Sequence, residues 1–323
     1  MRLLMAALWI SAAFGQTAER VFHFERLTDA AGFQEVASAL QTIADVKNVS
    51  LDAAQGALTV SGTDDRIAVA EWLFPRLDHT GGGPGQHYRV SQGGDADDDV
   101  VQVLYLGKTA SAAEMEELVS QISVGFELAH VAPIHSAKAL AMRDTGEIMV
   151  LAAWLVGQLD TRPAPEPYEF RLAANRTPAV RVFHLANTAT SQALDEIAFA
   201  IQFIADSSRV FRFHEAKAIT MRGAESQVAL AEWLVSALDK PPAAKPAMLS
   251  QHADPYWFGD KTEARVFYLP AATTEGLQNL AGKLRGIAQP PPAVFSCSGP
   301  KAVAWRGTRE QTAAAEQLVR GQQ

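Results

Sequence analysis

Four segments of the chain carry the same order of apolar and polar positions. Each opens with a short run of aromatic and β-branched residues, as at 182–185, where Phe183 and Leu185 lie on one face of a strand. A polar turn follows, and then an apolar stripe at helical spacing, in one segment at Leu194, Ile197, Ile201 and Ile204. Two short apolar runs and a second helical stripe complete the segment. The predicted order is strand, helix, strand, strand, helix.

The four segments are copies of one unit. Arg20 to Asp78 aligns with Arg181 to Asp239 without a gap, with 22 identities in 59 positions. Shifts of 79 and 84 residues bring the other two copies into the same frame. We therefore predict an α+β protein of four tandem two-layer sandwiches, each with two helices on one face of a three-stranded sheet and the other face open. The predicted bounds of copies 1 to 4 are 20–78, 102–160, 181–239 and 265–323.

The segments between the copies have the composition of linkers. They are predicted at 79–101, 161–180 and 240–264, and they are rich in proline, glycine or acidic residues. The last contains Tyr256, Trp257 and Phe258, which are too apolar for a free linker. This stretch either packs on a neighbouring domain or contacts a partner.

The first residues have the features of a signal peptide. Arg2 precedes about a dozen apolar residues, and the small residue Gly15 stands before Gln16. We expect residues 1–15 to be cleaved before Gln16 and the mature protein to be periplasmic or secreted. Because the apolar run is too short to span a bilayer, we expect no integral membrane segment in the mature chain.

The composition argues against several classes of function. The net charge of -8 disfavours binding to nucleic acid, and the single cysteine, Cys297, excludes an intramolecular disulfide and a metal site of several thiolates. Phosphate-binding loops and nucleophile elbows do not occur in the sequence. We expect no catalytic residue, no cofactor and no metal, and therefore no enzyme activity.

Several residue types recur at equivalent positions of the copies. The histidines recur as His23 with His184 and as His135 with His214, and one helical position holds Trp72, Trp154 and Trp233. A catalytic site rarely recurs in tandem copies, so these positions favour a structural role, with metal binding and ligand stacking as the alternatives.

The recurrent arginines suggest an interaction surface. Arg143, Arg222 and Arg306 follow the apolar pair of the third strand in copies 2 to 4. They either protect a strand edge or form a basic stripe for an acidic partner. Together with Trp257 they are the candidate interaction residues.

Three motifs together resemble the ring-building N-terminal domains of bacterial secretins. They are the opening strand at 181–185, the alternating strand at 57–62, and the closing helix that ends at 231–239. The resemblance implies a periplasmic protein of a secretion system whose domains pack side by side in rings. Two departures stand out: Gln55-Gly56 replaces the Asp-x-x-Thr-Asn turn that is frequent in that family, and no pore-forming β-domain follows copy 4. We therefore expect that this protein is not the pore.

Two functions of different kinds follow from these patterns. The first is an exported structural or interaction protein, a scaffold or accessory component of an envelope assembly of the secretion or pilus type, which acts by contact with protein partners or by self-association. The alternative is a monomeric periplasmic binding protein for a peptide or glycan, with aromatic residues such as Trp257 as contacts. An enzyme with an unrecognised site is the third possibility.

Overall fold

A computed structural model gives the fold of the chain. It describes residues 17–79, 83–90, 99–108, 111–128, 130–160, 169–171, 179–240, 255–258 and 261–321. The predicted signal peptide and its cleavage site lie outside the described residues. Within them, no helix is both long and apolar enough to cross a membrane.

The described residues form eight helices and fifteen strands. The helices are α1 (Ala30–Ile43), α2 (Asp64–Leu77), α3 (Ala112–Phe126), α4 (Gly146–Asp160), α5 (Ser191–Ile204), α6 (Glu225–Leu238), α7 (Thr274–Arg285) and α8 (Arg309–Arg320). The strands of copies 1 and 2 are β1 (Thr17–His23), β2 (Asn48–Asp52), β3 (Ala57–Thr63), β4 (Gln86–Arg89), β5 (Val100–Tyr105), β6 (His130–Ile134) and β7 (Ala139–Asp144). Those of copies 3 and 4 are β8 (Glu169–Arg171), β9 (Ala179–His184), β10 (Val210–Phe213), β11 (Ala218–Gly223), β12 (Tyr256–Phe258), β13 (Thr262–Tyr268), β14 (Ala293–Cys297) and β15 (Ala302–Thr308).

The strands build four small antiparallel sheets. Sheet A has the order β1-β3-β2, sheet B β4-β5-β7-β6, sheet C β8-β9-β11-β10, and sheet D β12-β13-β15-β14. The prediction of a mixed α+β protein with repeated small sheets is confirmed. The predicted bounds of four separate domains stay a prediction.

The chain divides into two compact units. One comprises Met1–Leu106 and His130–Thr145, and the other comprises Gly107–Ala129 and Gly146–Gln323. The division passes through copy 2, whose sheet belongs to the first unit and whose helices belong to the second.

The first helix of every copy begins at a side chain that caps it. Asp29, Ser111, Thr190 and Thr273 each accept a hydrogen bond from a backbone N–H three residues later, which satisfies one of the free donors of the first turn. Between copies 3 and 4 the caps are 83 residues apart, whereas the flanking strands align at 84. The helix of copy 4 therefore starts one residue earlier than a gapless alignment predicts.

The sheets of the second unit are buried on both faces. In sheet D, Phe267, Val303 and Trp305 pack on α7 and α8, whereas the alternate residues pack in one core with α5 and α6. Those alternate residues are Ala264, Val266, Ala302 and Ala304. In sheet C, Phe183 and Ile219 share the core of α5 and α6, and Thr220 on the opposite face is also fully buried.

In the first unit, sheet B shares a core with the helices of copy 1. Val101, Val103, Ile134 and Ala141 belong to the same hydrophobic cluster as Leu40 of α1 and several residues of α2. The expectation that each sheet keeps an open face is therefore wrong for sheets B, C and D. The helices of the preceding copy cover that face, because its apolar residues would otherwise be exposed to water.

Each predicted linker contributes a strand to the next sheet. The strands β4, β8 and β12 pair with β5, β9 and β13, the first strands of copies 2, 3 and 4. The three-stranded sheet predicted for these copies thus gains a fourth strand. Sheet A has three strands within the described residues.

Candidate functional site: the junctions between copies

The most elaborate side-chain arrangement of the chain is repeated at the junctions between copies. The first helix of one copy packs on the second strand of the next, α1 on β6, α3 on β10 and α5 on β14. The turn that follows this second strand faces the helix. Its last residue, Lys138, Lys217 or Lys301, has a positive φ near 50°, a conformation that copy 1 forms with Gly56. This tight turn leaves its first N–H groups free to bond with the helix.

A glutamate on the helix binds those N–H groups, and we call this contact the glutamate lock. The glutamates Glu35, Glu117 and Glu196 each lie six residues after the helix cap. Oε2 of Glu35 accepts from the backbone N–H of Ser136 at 3.2 Å and from its hydroxyl at 3.0 Å. Glu196 accepts from the N–H and hydroxyl of Ser298, both at 2.6 Å. Hydrogen bonds to a carboxylate are about twice as strong as those between neutral groups.

The lock between copies 2 and 3 contains a histidine. Glu117 accepts from the backbone N–H of His214 at 3.3 Å, and its Oε1 lies 2.6 Å from the ring Nδ1. The other ring nitrogen, Nε2, lies 3.1 Å from Oδ1 of Asp195 on α5. Partial burial lowers the pKa of His214, but the hydrogen bonds and charges of the two carboxylates outweigh it and raise the pKa above its ordinary value.

The lock between copies 1 and 2 contains the equivalent histidine. Nδ1 of His135 lies 3.0 Å from Oε1 of Glu35, and both side chains are about a quarter exposed. The repeat favours a structural role for this histidine position, and the contact with Glu35 agrees with that role. Among the described residues, no group of three or more His, Cys, Asp or Glu side chains could hold a metal ion.

The three recurrent tryptophans lie at the same junctions. Trp72 contacts Tyr88 of β4 with ring centroids 5.5 Å apart, and Trp154 contacts Phe170 of β8 at 5.5 Å. Trp233 repeats the contact with Tyr256 of β12 at 5.8 Å. The aromatic partner comes from the predicted linker each time, so Tyr256 packs within the chain.

Two tyrosines add a further bond at two junctions. The hydroxyl of Tyr105 in copy 2 donates to the carbonyl of Arg76 in copy 1 at 2.8 Å, and Tyr268 in copy 4 donates to the carbonyl of Ala237 in copy 3 at 2.8 Å. Burial raises the pKa of Tyr268 to about 12, so this hydroxyl keeps its proton and remains a donor at neutral pH.

Copies 1 and 4 each lack one half of the glutamate lock. In copy 1 the turn has Ala53 and Ala54, and Oδ1 of Asp52 accepts from the N–H groups of Ala54 and Gln55 instead. In copy 4 the position of the glutamate, six residues after the cap at Thr273, is Asn279. The lock therefore forms only between successive copies.

The predicted interaction arginines lie on the central strands of their sheets. Because β7, β11 and β15 each pair with a strand on both sides, the hypothesis that Arg143, Arg222 and Arg306 protect a strand edge is wrong. The guanidinium of Arg143 binds both oxygens of Asp99 and donates to the carbonyl of Ile43 at the end of α1, and the bond to Asp99 raises its pKa. Arg222 is only 8% exposed, and Arg306 is half-buried. Their role as a surface for an acidic partner stays a prediction.

Trp257 differs from the three junction tryptophans because half of its surface is exposed. The guanidinium of Arg309 stacks over its ring at 4.6 Å from the centroid, a cation–π contact. In copy 3 the equivalent positions hold Arg171 and Glu225, which form an ion pair at 2.5 Å. The contact that joins the linker strand to the second helix is thus kept with different chemistry.

Sequence analysis did not identify the glutamate lock. A signal was nevertheless present, because Glu35, Glu117 and Glu196 recur in register in copies 1 to 3. It is recognisable only once the partner turn is known to lie in the next copy rather than in the same one.

The comparisons with known proteins return secretin N-terminal regions at low similarity. No family model matches the chain, and no curated protein matches it. The N-terminal domain of the secretin XcpQ from Pseudomonas aeruginosa is 17% identical, with 45% of this chain and 63% of that one covered and a TM-score of 0.20. ExeD from Aeromonas hydrophila is 14% identical, with 90% and 59% covered and a TM-score of 0.17.

A third solved structure, XcpQN012, is 13% identical, with 74% of this chain and 99% of that one covered and a TM-score of 0.21. The chain thus spans less than two thirds of the length of the first two structures that it matches.

Proposed function

We propose that the protein is an exported scaffold or accessory component of a bacterial envelope assembly, of the secretion or pilus type, and that it acts by protein–protein contact in the periplasm. Export is inferred from the signal-peptide pattern of residues 1–15. The assembly role is inferred from how the copies are joined, together with the sequence motifs that resemble secretin N-terminal domains.

The observation that carries this proposal is the repeated glutamate lock. A lock at Glu35, at Glu117 and at Glu196 fixes the first helix of one copy to the sheet of the next, and a shared hydrophobic core adds to it at the Glu35 and Glu196 junctions. The residues that could have served chemistry, His135 and His214, are used in these locks. Within each unit, such locks hold neighbouring copies together, which is what a scaffold requires.

The proposal is tested by export and by association in cells. The full-length gene is expressed with its leader, the periplasmic fraction is isolated, and the mass of the mature chain is measured together with the size of the cross-linked species. We expect a chain that begins at Gln16 and that migrates within an assembly larger than a single protein chain. The variant Glu196→Ala, which loosens one junction, should weaken that assembly.

The alternative, a monomeric binding protein for a peptide or glycan, is favoured by the exposed ring of Trp257. The double variant Trp257→Arg with Arg309→Glu reproduces the ion pair of copy 3 and removes this aromatic surface. If the purified protein is a strict monomer, and if this variant loses binding to a peptide or glycan library that the wild type binds, the binding protein is the correct function and the scaffold is not.

A further inference from the structure

The imidazole of His214 lies between two carboxylates from different copies. Glu117 on α3 faces Nδ1 at 2.6 Å, and Asp195 on α5 faces Nε2 at 3.1 Å. A neutral imidazole carries a proton on one nitrogen only, and the other nitrogen is then an acceptor. Both carboxylates receive a hydrogen bond only when the ring is doubly protonated.

The other charges around the ring do not cancel this arrangement. Arg212 on β10 lies 3.7 Å from the same oxygen of Asp195, so it weakens the pull of that carboxylate. A groove beside the ring is lined by Lys108, Glu114, Glu117 and Glu215, one cation and three acidic groups. The negative groups outnumber the positive ones, and two of them touch the ring directly.

The three junctions differ in what their turns present to the glutamate. The junction α1–β6 has His135, with Glu35 at Nδ1, and the junction α5–β14 has Ser298, which has no charge to gain. His214 bridges carboxylates on two successive copies, Glu117 of copy 2 and Asp195 of copy 3. The Ser298 junction is therefore an internal control for the effect of the charge on the His214 ring.

We propose that the α3–β10 junction is a pH-dependent latch, in which protonation of His214 closes copy 3 onto the helix of copy 2 and deprotonation loosens it. The latch consists of Glu117, His214 and Asp195. It is independent of the scaffold proposal, since it concerns the opening of one junction and not what the protein binds.

The direction of the effect follows from linkage. The pKa of His214 in the closed junction is raised above its ordinary value of about 6.5, which the open junction restores. His214 therefore stabilises the closed junction fully below its ordinary pKa. This stabilisation is lost as the pH rises through the raised pKa. Between the two values, the opening constant changes about tenfold per pH unit, as it does for any single linked proton.

Hydrogen exchange on the full mature chain measures this opening. The peptide at 210–217 reports on the latch, and the peptide at 294–301 reports on the Ser298 junction in the same sample. Because both share the chemical pH dependence of exchange, their ratio isolates the opening. We expect this ratio to rise about tenfold per pH unit above pH 6.5 until the raised pKa is passed, and to be constant beyond it.

The variant His214→Ser gives the latch the chemistry of copy 4, where Ser298 satisfies Glu196 through its N–H and hydroxyl. We expect the ratio to lose its pH dependence in His214→Ser and to keep it in the matched control His135→Ser. A slope that persists in His214→Ser would overturn the proposal.

A second measurement decides the matter if His214→Ser does not fold. Titration of the His214 ring in the wild type by NMR should give a pKa above the ordinary value, and Glu117→Gln should lower it. A ring that titrates at or below the ordinary value, or one that does not respond to Glu117→Gln, contradicts the latch.

Discussion

The three strands of sheet A have the same order as the last three strands of sheet D, but the outer faces of the two sheets have different surroundings. The central strand of sheet A, β3, has Leu58 and Val60 on the helix side and Thr59 and Ser61 on the other, where both are only half-buried. The central strand of sheet D, β15, has Val303 and Trp305 on the helix side and Ala302 and Ala304 on the other, all fully buried.

In these two sheets, the residues on the outer face of the central strand differ with what covers that face. In sheet D, where helices of the preceding copy cover the outer face, alanines occupy it, because alanine allows close approach without a polar group to satisfy. Where no described residue covers it, hydroxyl side chains occupy it. Val21, beside Thr59 on β1, is 52% exposed accordingly.

The largest effect is expected from a charge placed on the outer face. Ala304→Asp buries a carboxylate with no partner between sheet D and the helices of copy 3, and we expect a loss of about 3–5 kcal/mol in stability. The equivalent change in sheet A, Thr59→Asp, leaves the carboxylate in water and should stay within about 0.5 kcal/mol. Urea denaturation followed by tryptophan fluorescence measures both. Equal losses in the two variants would show that the outer face of sheet A is also covered.

A smaller effect is expected from the turns that follow the second strands. Glu196→Ala leaves the N–H and hydroxyl of Ser298 without their acceptor and should cost about 1.5–3 kcal/mol, as expected for hydrogen bonds to a charged group. Asp52→Ala removes the exposed carboxylate that accepts a hydrogen bond from the N–H of Ala54 in its own turn, and it should cost about 0.5–1 kcal/mol. Hydrogen exchange of the two turns checks this order. Asn279→Ala, at the glutamate position of copy 4, is the control and should be nearly silent.

The smallest effect concerns an ion pair that joins the first strand of a copy to its second helix in both copy 1 and copy 4. Arg265 and Glu316 lie 3.0 Å apart with side chains about one-fifth exposed, whereas the equivalent Arg20 and Glu71 are 59% and 46% exposed. We expect Glu316→Ala to cost about 1 kcal/mol and Glu71→Ala about 0.3 kcal/mol, because water and salt screen the exposed pair. Denaturation at low and high salt measures the difference. A stronger salt dependence for the pair in sheet D than in sheet A would contradict this account.

The order of helices and strands could be predicted from the sequence because apolar residues recur every three to four positions in the helices and every second position in the strands. The covered sheet faces could not, since Ala302 and Ala304 are weak hydrophobic signals beside Val303 and Trp305. The linker strands were also missed. Strands of three or four residues are too short to show a period, and β8 and β12 exist through pairing with the next sheet.

The candidate site was predicted only in part. Recurrence favoured a structural role for His135 and His214, and both lie at junctions. The glutamate partners of these histidines lie 100 and 97 residues earlier along the chain. No local pattern contains such a pairing, and Arg143 was misplaced for the same reason, because its strand is central only in the assembled sheet.

Because the glutamate and the turn of each lock come from successive copies, the locks bear on which copies can be duplicated within the gene. Copies 2 and 3 each provide a glutamate to the copy after them and a turn to the copy before them. A duplication of either one would insert a segment whose two halves match its new neighbours at once. Copy 1, with Asp52, and copy 4, with Asn279, would each introduce a mismatch if duplicated into the interior. The glutamates and turns of copies 2 and 3 are therefore compatible with duplication inside the array, whereas those of copies 1 and 4 are not.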